Sequence, residues 1–86
     1  MYQIFFTKQA NRALQKMPRN TARLIRDKLD LLAQDPYYAR NPNLAKLQSR
    51  SGYRLRVGDW RVIYEAEDDR LVILVLKIAP RGEVYR

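Results

Sequence analysis

The clearest pattern of apolar and polar positions covers residues 53–66, where two strand-like runs rich in Val, Tyr and Leu flank Gly58 and Asp59. A glycine followed by a polar residue suits a two-residue type II′ turn, so this stretch is predicted to form a β-hairpin. That turn fixes the cross-strand pairs: Tyr53 with Tyr64, Arg54 with Ile63, Leu55 with Val62, Arg56 with Arg61, and Val57 with Trp60. Because side chains alternate between the two faces of a strand, one face is predicted to enter the core. Its members are Tyr53, Leu55, Val57, Trp60, Val62 and Tyr64.

The opposite face of the hairpin carries Arg54, Arg56 and Arg61, together with Ile63 and Glu65. Like charges directly opposite each other destabilise a sheet, so Arg56 facing Arg61 is unfavourable for folding alone. Functional sites are where sequences depart from such local rules. Three converging guanidinium groups indicate a phosphate site, since arginine binds phosphate through a planar fork. The alternative is that these arginines only solvate the exposed side of a half-buried sheet.

The chain before the hairpin is predicted to contain one strand and two helices. Residues 2–6 are aromatic and partly β-branched and predict a strand, after which Thr7 is a suitable N-cap for a helix over residues 8–17. A second helix is predicted over residues 19–34, because apolar side chains recur there at three- and four-residue spacing. Those side chains are Ala22, Ile25, Leu29 and Leu32.

Residues 35–43 contain two prolines and polar turn residues, and they are predicted to form a loop. Tyr37 and Tyr38 in this loop are predicted to pack over the helix ends, with stacking on nucleic-acid bases as the alternative. Leu44 and Leu47, which follow the loop, are predicted to make smaller contacts at the edge of the core.

Residues 70–78 are apolar almost throughout, which predicts a central strand covered on both faces. The tail over residues 79–86 contains Pro80 and Gly82 and is predicted to leave regular structure. The sequence therefore predicts one α+β domain over residues 1–86, of order β-α-α-β-β-β. It has an N-terminal strand, a helical hairpin over one sheet face, and a three-stranded antiparallel meander in the same sheet.

The charge balance indicates an anionic partner. The 86-residue chain has 17 Lys and Arg against 9 Asp and Glu, a formal net charge of +8, which favours nucleic acid, an acidic protein or an anionic surface. No acidic residue precedes Asp27, and basic side chains recur on one face of each predicted helix. They are Lys8, Arg12 and Lys16 in the first helix and Arg19, Arg23 and Arg26 in the second. For any single one of them, the alternative is a solubilising surface.

Cysteine and histidine are both absent from the sequence. Disulfides, the usual zinc ligand sets and histidine-based RNA cleavage are thereby excluded, so proton transfer has to use Asp, Glu, Lys, Tyr or a substrate group. The N-terminus lacks the pattern of a signal peptide, and the longest apolar run, residues 71–76, is too short to cross a bilayer. We therefore expect no membrane partner and a cytoplasmic location.

The hairpin YRLRVGDWRVIYEA, the strand LVILVLKI and the tail PRGEVYR together resemble the RelE/ParE superfamily of type II toxin–antitoxin toxins, specifically its RelE branch. The resemblance covers nearly the whole chain and implies a small RelE-like fold. It implies a ribosome-dependent mRNA endonuclease that cuts the A-site codon through the 2′-hydroxyl and so inhibits translation. It also implies a cognate antitoxin as partner, with operator DNA bound only through the toxin–antitoxin complex. No metal or other cofactor is expected, since arginines supply the positive charge.

The functional positions of that family correspond here to Arg54, Arg56, Arg61, Arg81 and Tyr85. Cleavage at the 2′-hydroxyl needs a base for that hydroxyl, charge to stabilise the phosphorane, and an acid for the 5′-oxygen. Arg61 and Arg81 suit the phosphate and its developing charge, and the acid usually suggested for the family corresponds to Arg81. Tyr85 is expected to stack on a base or exchange a proton, while Arg54 and Arg56 complete the basic floor. The general base stays open between Tyr85, the phosphate and a ribosomal group, because arginine effectively keeps its proton.

Two other classes of function fit the same residues. A ParE-like inhibitor of DNA gyrase would share the fold without nuclease activity, although such proteins usually lack the Arg and Tyr set retained here. A non-catalytic basic module would bind nucleic-acid phosphates without chemistry. Steep salt dependence, with wild-type affinity in Arg61→Ala or Tyr85→Phe, would favour that simple electrostatic binding.

Overall fold

A computed structural model of the chain describes residues 1–37, 41–48 and 51–82. This part of the chain contains two helices and five strands. In order they are β1 (Gln3–Phe6), α1 (Lys8–Lys16), α2 (Arg19–Leu32), β2 (Leu44–Lys46), β3 (Tyr53–Val57), β4 (Trp60–Glu67) and β5 (Val72–Pro80). Within the described ranges, neither helix is long and apolar enough to cross a membrane.

The strands form one mixed sheet in the order β1-β5-β4-β3-β2. β1 runs parallel to β5, and the other neighbouring pairs are antiparallel. The predicted α+β fold of order β-α-α-β-β-β is confirmed, with β5 lying between the N-terminal strand and the hairpin. The structure adds β2, a three-residue strand that pairs with β3. Three residues are too few to display a period of two, so the sequence pattern did not predict it.

The main core lies between the two helices and one face of the sheet. All of the predicted core-face residues of the hairpin belong to it, with Tyr64 and Val62 fully buried and Tyr53 and Trp60 half-buried at its edge. Ala10 of α1 and Ile25 and Leu29 of α2 are their most deeply buried helical partners. The predicted packing of a helical hairpin over one sheet face is therefore confirmed.

The hairpin has the predicted register, with Arg56 directly opposite Arg61 and Val57 opposite Trp60. Gly58 has a φ of 58°, whereas Leu71 is the one non-glycine residue of the described chain with a positive φ. A positive φ at the first turn position and a negative φ at Asp59 fit the predicted type II′ turn. The local turn chemistry has therefore set the pairing of the whole hairpin.

A group of tyrosines joins the loop after α2 to the sheet. The Tyr64 hydroxyl donates to Pro36 O at 2.7 Å, and the rings of Tyr37 and Tyr64 both contact the Tyr53 ring, at centroid distances of 5.4 and 5.6 Å. Tyr37 thus packs on the Tyr53 ring of the sheet, whereas the prediction placed it over the helix ends, and Tyr38 lies outside the described residues. The hydroxyl of Tyr37 also donates to Asp68 at 2.5 Å.

Asp68, in the turn between β4 and β5, accepts a second hydrogen bond from the hydroxyl of Tyr2 at 2.8 Å. The hydrogen bonds from Tyr37 and Tyr2 lower the pKa of the Asp68 carboxyl, because they favour its charged form. One carboxylate therefore ties the N-terminal segment and the loop after α2 to this turn.

Thr7 caps α1, as predicted. Its hydroxyl accepts from the Ala10 N–H at 3.3 Å and donates to Leu76 O at 2.7 Å, while the side-chain amide of Gln9 exchanges two hydrogen bonds with the backbone of Ile78. These bonds occupy the edge of β5 beyond the point where its pairing with β1 ends. The helices end at Lys16 and Leu32, one and two residues earlier than predicted.

The boundaries and the environment of β5 differ from the prediction. The strand starts at Val72 rather than Arg70, and it continues through Ala79 and Pro80, which pair with Arg61 and Trp60. The β4 strand is long enough to keep pairing there, which overrides the helix- and strand-breaking tendency of the tail. On the sheet face away from the helices, Leu74 and Leu76 of β5 are only half-buried, because no described helix covers them, and Ala79 is buried there beside Ile63. The prediction of a strand covered on both faces was therefore wrong.

Candidate active site

Four arginines line one cleft of about 350 Å³ on the sheet face away from the helices. We call it the arginine cleft; besides Arg54, Arg56, Arg61 and Arg81 it is lined by Pro42, Asn43, Ala45 and Gly82. The first two arginines come from β3, Arg61 comes from β4, and Arg81 follows β5. The predicted convergence of Arg54, Arg56 and Arg61 on one sheet face is confirmed, and Arg81 joins them.

Arg81 reaches this face because of an irregularity in β5. Ile63 pairs with Lys77 but the next residue, Tyr64, pairs with Val75, so Leu76 is an extra residue in β5. Val75 and Ile78 both lie in the main core although they are three residues apart, which a regular strand would not allow. Residues after the bulge therefore lie on the sheet face opposite to the one that regular alternation would give them. The alternation that continues from Ile78 puts the odd-numbered residues, Arg81 included, on the side of the arginine cleft.

Asn43 positions the guanidinium group of Arg56. The Asn43 Oδ1 atom accepts from Arg56 Nε at 3.1 Å and from Arg56 Nη2 at 2.9 Å, and the backbone O of Asn43 accepts from the Arg56 N–H at 2.8 Å. The backbone N–H of Asn43 in turn donates to Asn41 Oδ1 at 3.0 Å. Sequence reasoning missed Asn43, because in a loop rich in asparagine and proline it has the appearance of an ordinary turn residue.

The hairpin turn positions Arg61 and Arg81. Arg61 Nη1 donates to Gly58 O and to Trp60 O, both at 2.9 Å, so its guanidinium group leans over the turn. The backbone N–H of Arg81 donates to Asp59 O at 2.7 Å, which fixes the end of β5 against the same turn. The turn therefore holds one arginine by its side chain and the other by its backbone.

The electrostatics of the cleft favour an anion. Burial lowers the pKa of Arg61, and the nearby guanidinium groups of Arg81, Arg56 and Arg54 lower it further, against a smaller opposing effect of Asp59. Burial and like charge both disfavour the protonated form, so this shift reports the partial burial of Arg61 as well as the positive charge crowded around it.

Acidic side chains of the described ranges do not neutralise this charge through ion pairs. Arg56, Arg61 and Arg81 make no ion pair with Asp or Glu in residues 1–37, 41–48 and 51–82. The ion pair found in these ranges joins Arg70 Nη2 to Glu67 Oε2 at 2.6 Å, at the β4–β5 turn. Three guanidinium forks without carboxylate partners among the described residues suit phosphate oxygens. In the same part of the chain, no group of three or more acidic side chains is placed to hold a metal ion. Tyr85, the fifth predicted site residue, lies outside the described residues.

Comparison with known proteins agrees with this architecture. Residues 4–85 match the family model of the ParE toxin of type II toxin–antitoxin system, parDE. Toxin RelG from Mycobacterium tuberculosis H37Rv is 27% identical over 86 residues, which cover 99% of this chain and 97% of the relative.

Solved structures of toxins have the same fold. A chain of the archaeal RelE–RelB complex from Pyrococcus horikoshii OT3 superposes with a TM-score of 0.82 and 34% identity, over 96% of this chain and 98% of that one. The isolated Escherichia coli RelE toxin superposes with a TM-score of 0.79 and 22% identity, over 99% of this chain and 92% of that one.

Together, the mixed sheet, the helical hairpin and the matched sequences define a small toxin of a type II toxin–antitoxin system. The chain belongs to the ParE toxin family of type II toxin–antitoxin systems, within the RelE/ParE superfamily. The resemblance seen in the hairpin, the strand and the tail is thereby confirmed at the level of the superfamily.

Proposed function

We propose that this toxin is a ribosome-dependent mRNA endonuclease that cleaves the codon in the A site through its 2′-hydroxyl. The observation that carries the proposal is the convergence of Arg56, Arg61 and Arg81 in one cleft, with no carboxylate ion pair from the described residues. A cleft that only needed to be soluble would gain nothing from crowding these charges. A phosphate that gains negative charge during reaction would be stabilised by them.

In the proposed reaction, the 2′-oxygen attacks the adjacent phosphorus while the bond from phosphorus to the 5′-oxygen breaks. Arg61 and Arg81 bind the phosphate oxygens and stabilise the charge that develops on them. Arg61 is already fixed by Gly58 O and Trp60 O, so little reorganisation is needed when the substrate arrives. Arg54 and Arg56 hold the flanking backbone. A base takes the 2′-proton and an acid, for which Arg81 is our candidate, protonates the 5′-oxygen.

We assign Tyr85 a role in stacking on the substrate base or in exchanging a proton with it. Aromatic rings hold single-stranded bases apart from their neighbours, which cleavage inside a codon requires. Tyr85→Phe keeps the ring and removes the hydroxyl. Retained cleavage in this variant would assign stacking, whereas a loss as large as that of Tyr85→Ala would assign proton transfer.

The proposed partners are the ribosome with its mRNA, and a cognate antitoxin. Exposed basic side chains on the outer faces of α1 and α2 support contact with a large polyanion such as ribosomal RNA. They are Lys8, Arg12 and Lys16 in α1 and Arg19 and Arg23 in α2. The antitoxin is proposed because the archaeal relative was crystallised as a RelE–RelB complex. Operator DNA would be bound only through that complex.

The deciding experiment is primer extension on mRNA in a purified translation system, with ribosomes stalled at a known codon. We expect wild-type protein to cut within the A-site codon and Arg61→Gln to lose roughly 10²–10³-fold in rate, as when one group that stabilises an oxyanion is removed. Arg70→Gln is the matched control, because it also removes one arginine but at the opposite end of the hairpin. Folded wild-type protein that produces no cuts on several codons would refute the proposal.

The second candidate function is inhibition of DNA gyrase, which the match to the ParE family model favours. A supercoiling assay with purified gyrase separates the two functions. Inhibition by wild type and by Arg61→Gln alike, without cleavage of mRNA, would assign the protein to gyrase. RNA affinity that falls only when the salt concentration is raised, with no cleavage by any variant, would instead indicate non-catalytic binding.

A further inference from the structure

A second cavity, of about 520 Å³, lies between the C-terminal half of α2, the segment that precedes β2, and the second half of β3. Leu31, Leu32 and Leu55 form an apolar wall within a lining that also has polar side chains, and we call it the leucine groove. Leu32 and Leu55 are almost fully buried, whereas Leu31 is 62% exposed, so its side chain is accessible to a ligand in the groove. The size of this groove falls in the range typical of small-ligand sites.

The leucine groove adjoins the arginine cleft. Pro42, Asn43 and Arg56 line both cavities. The guanidinium group of Arg56, held by the Asn43 side chain, forms the boundary between them. A nucleotide chain with one phosphate in the arginine cleft would therefore have its neighbouring nucleotide within reach of the leucine groove.

We propose that the leucine groove binds the nucleobase next to the phosphate held in the arginine cleft, and thereby contributes to the choice of sequence. This inference rests on the proposed function. Apolar walls suit the faces of a base, and the rim carries Gln34 and Asn41, whose amides match the donors and acceptors on base edges. The Gln34 side chain makes no hydrogen bond within the described part of the chain, so its amide is available.

The charges around the groove favour a nucleotide over an apolar peptide. Lys28 and Arg56 stand on its margin, and both are exposed cations. They are placed to bind the phosphates on either side of a base in the groove, whereas a hydrophobic peptide would gain nothing from them. The one carboxylate on the lining, Asp35, already accepts the Tyr37 backbone N–H at 3.1 Å.

Binding to RNA that cannot be cleaved tests the groove separately from catalysis. The probe is a short single-stranded RNA whose 2′-hydroxyls are methylated, titrated at low salt against wild type, Leu31→Ala and Leu24→Ala. Leu24 is the matched control, a leucine on the same helix that is 47% exposed and lies outside the groove. Losing the apolar contact of one side chain should weaken binding about fivefold for Leu31→Ala and leave Leu24→Ala at wild-type affinity.

A probe that lacks one base identifies the bound nucleotide. A single abasic position is moved along the RNA. In wild type, the affinity should fall at one abasic position only, by as much as Leu31→Ala lowers it. In Leu31→Ala, the same abasic position should lower the affinity no further. Equal affinity of wild type and Leu31→Ala for every probe would overturn the proposal, as would a failure of wild type to bind RNA at low salt. Weaker binding of the antitoxin to Leu31→Ala, with unchanged binding of RNA, would assign the groove to the protein partner and overturn it as well.

Cleavage then distinguishes a failure of this inference from a failure of the proposed function. On stalled ribosomes, Gln34→Ala and Leu31→Ala should cut with altered preference among codons, while Leu24→Ala should keep the wild-type preference. Wild-type preference in both groove variants, with cleavage intact, would refute the groove and leave the nuclease standing. No cleavage by wild type, together with RNA binding that depends on Leu31, would refute the nuclease and leave the groove as a base-binding site.

Discussion

Repulsion within the Arg56–Arg61 pair should be measurable as a coupling free energy of unfolding. The two residues are direct partners across the hairpin. The backbone N–H of Arg56 donates away from β4, to Asn43 O at 2.8 Å, so this is a non-hydrogen-bonded pair, in which side chains of the two strands lie closest. We would replace each residue by Gln, singly and together, and compare the four proteins.

The size of the effect follows from the arrangement of the side chains. One guanidinium group leans toward the turn and the other toward Asn43, so a separation of about 8 Å is reasonable for β-carbons that are roughly 5 Å apart. At an effective dielectric constant between about 40 and 80, two unit charges at that distance repel by roughly 0.5–1 kcal/mol. The first substitution removes this repulsion and the second cannot remove it again. The double variant should therefore be roughly 0.5–1 kcal/mol less stable than the sum of the single changes predicts.

The assay is urea unfolding followed by the fluorescence of Trp60, the only tryptophan of the chain and a residue of the same hairpin. A cycle is needed because each arginine also donates hydrogen bonds, Arg61 to the turn and Arg56 to Asn43, and these losses cancel in the coupling term. The control cycle pairs Arg61→Gln with Arg23→Gln. Arg23 is exposed on α2, on the other side of the sheet, so we expect its coupling to be near zero.

The dependence of the coupling free energy on salt concentration tests whether it comes from charge repulsion. At about 0.01 M ionic strength the Debye length is about 30 Å and the repulsion should be complete, whereas at 1 M it is about 3 Å and the coupling should vanish. A coupling that is absent or attractive at low salt, or that does not change with salt, would contradict the claim that these guanidinium groups repel each other. The argument that the arginine cleft is arranged for an anion would fail with it.

Three further predictions concern stability. Tyr64→Phe should lower the free energy of unfolding by about 1 kcal/mol in urea, because Pro36 O loses its buried hydrogen-bond donor; an unchanged midpoint would contradict this. The folded-state pKa of Asp68 lies below its value of 3.8 in the unfolded chain, so its stabilisation is complete above that pH and is lost as the pH falls through the folded-state pKa. Asp68→Asn should therefore flatten the acid side of a curve of melting temperature against pH, and parallel curves would refute the assignment. Gly52→Ala should destabilise by more than about 1 kcal/mol, since φ is 115° and the new Cβ would lie 2.9 Å from a backbone oxygen. Gly58→Ala, which meets no atom within 4 Å, should cost less; the reverse order would contradict the steric argument.

The part of the fold that could be predicted from the sequence is the part that local rules determine. The register of the hairpin follows from a two-residue turn and strict alternation, so Arg56 and Arg61 were predicted to be partners and are. The helices follow from apolar spacing and from the Thr7 cap. The arginines of the hairpin were found because alternation gathers them on one face, whereas Arg81 entered through the family resemblance alone.

The parts that could not be predicted depend on contacts between distant segments. β5 is apolar at nearly every position, so the extra residue Leu76 leaves no trace in the sequence pattern, and the bulge is visible only in its pairing with β4. β2 is too short to show periodicity, and it exists because β3 offers it an edge to pair with. Asn43 acquires its role from a contact with Arg56 across the same pair of strands. Each of these features shapes the arginine cleft, so local pattern alone could predict its composition but not its geometry.

The groups that hold the arginines explain how the cleft can be ordered and still bind an anion. The guanidinium group of Arg61 is held by the carbonyl oxygens of Gly58 and Trp60, and that of Arg56 by the side-chain oxygen of Asn43. Arg81 is held through its backbone N–H, by Asp59 O. Carboxylates in these places would fix the side chains as well, but they would neutralise the charge and compete with phosphate. Neutral oxygens supply direction without a full negative charge, and each guanidinium group keeps further N–H donors for a ligand. The cost is the repulsion between Arg56 and Arg61 that remains in the folded state. A measured repulsion and a measured affinity for phosphate should therefore be lost together when Arg61 is replaced by Gln.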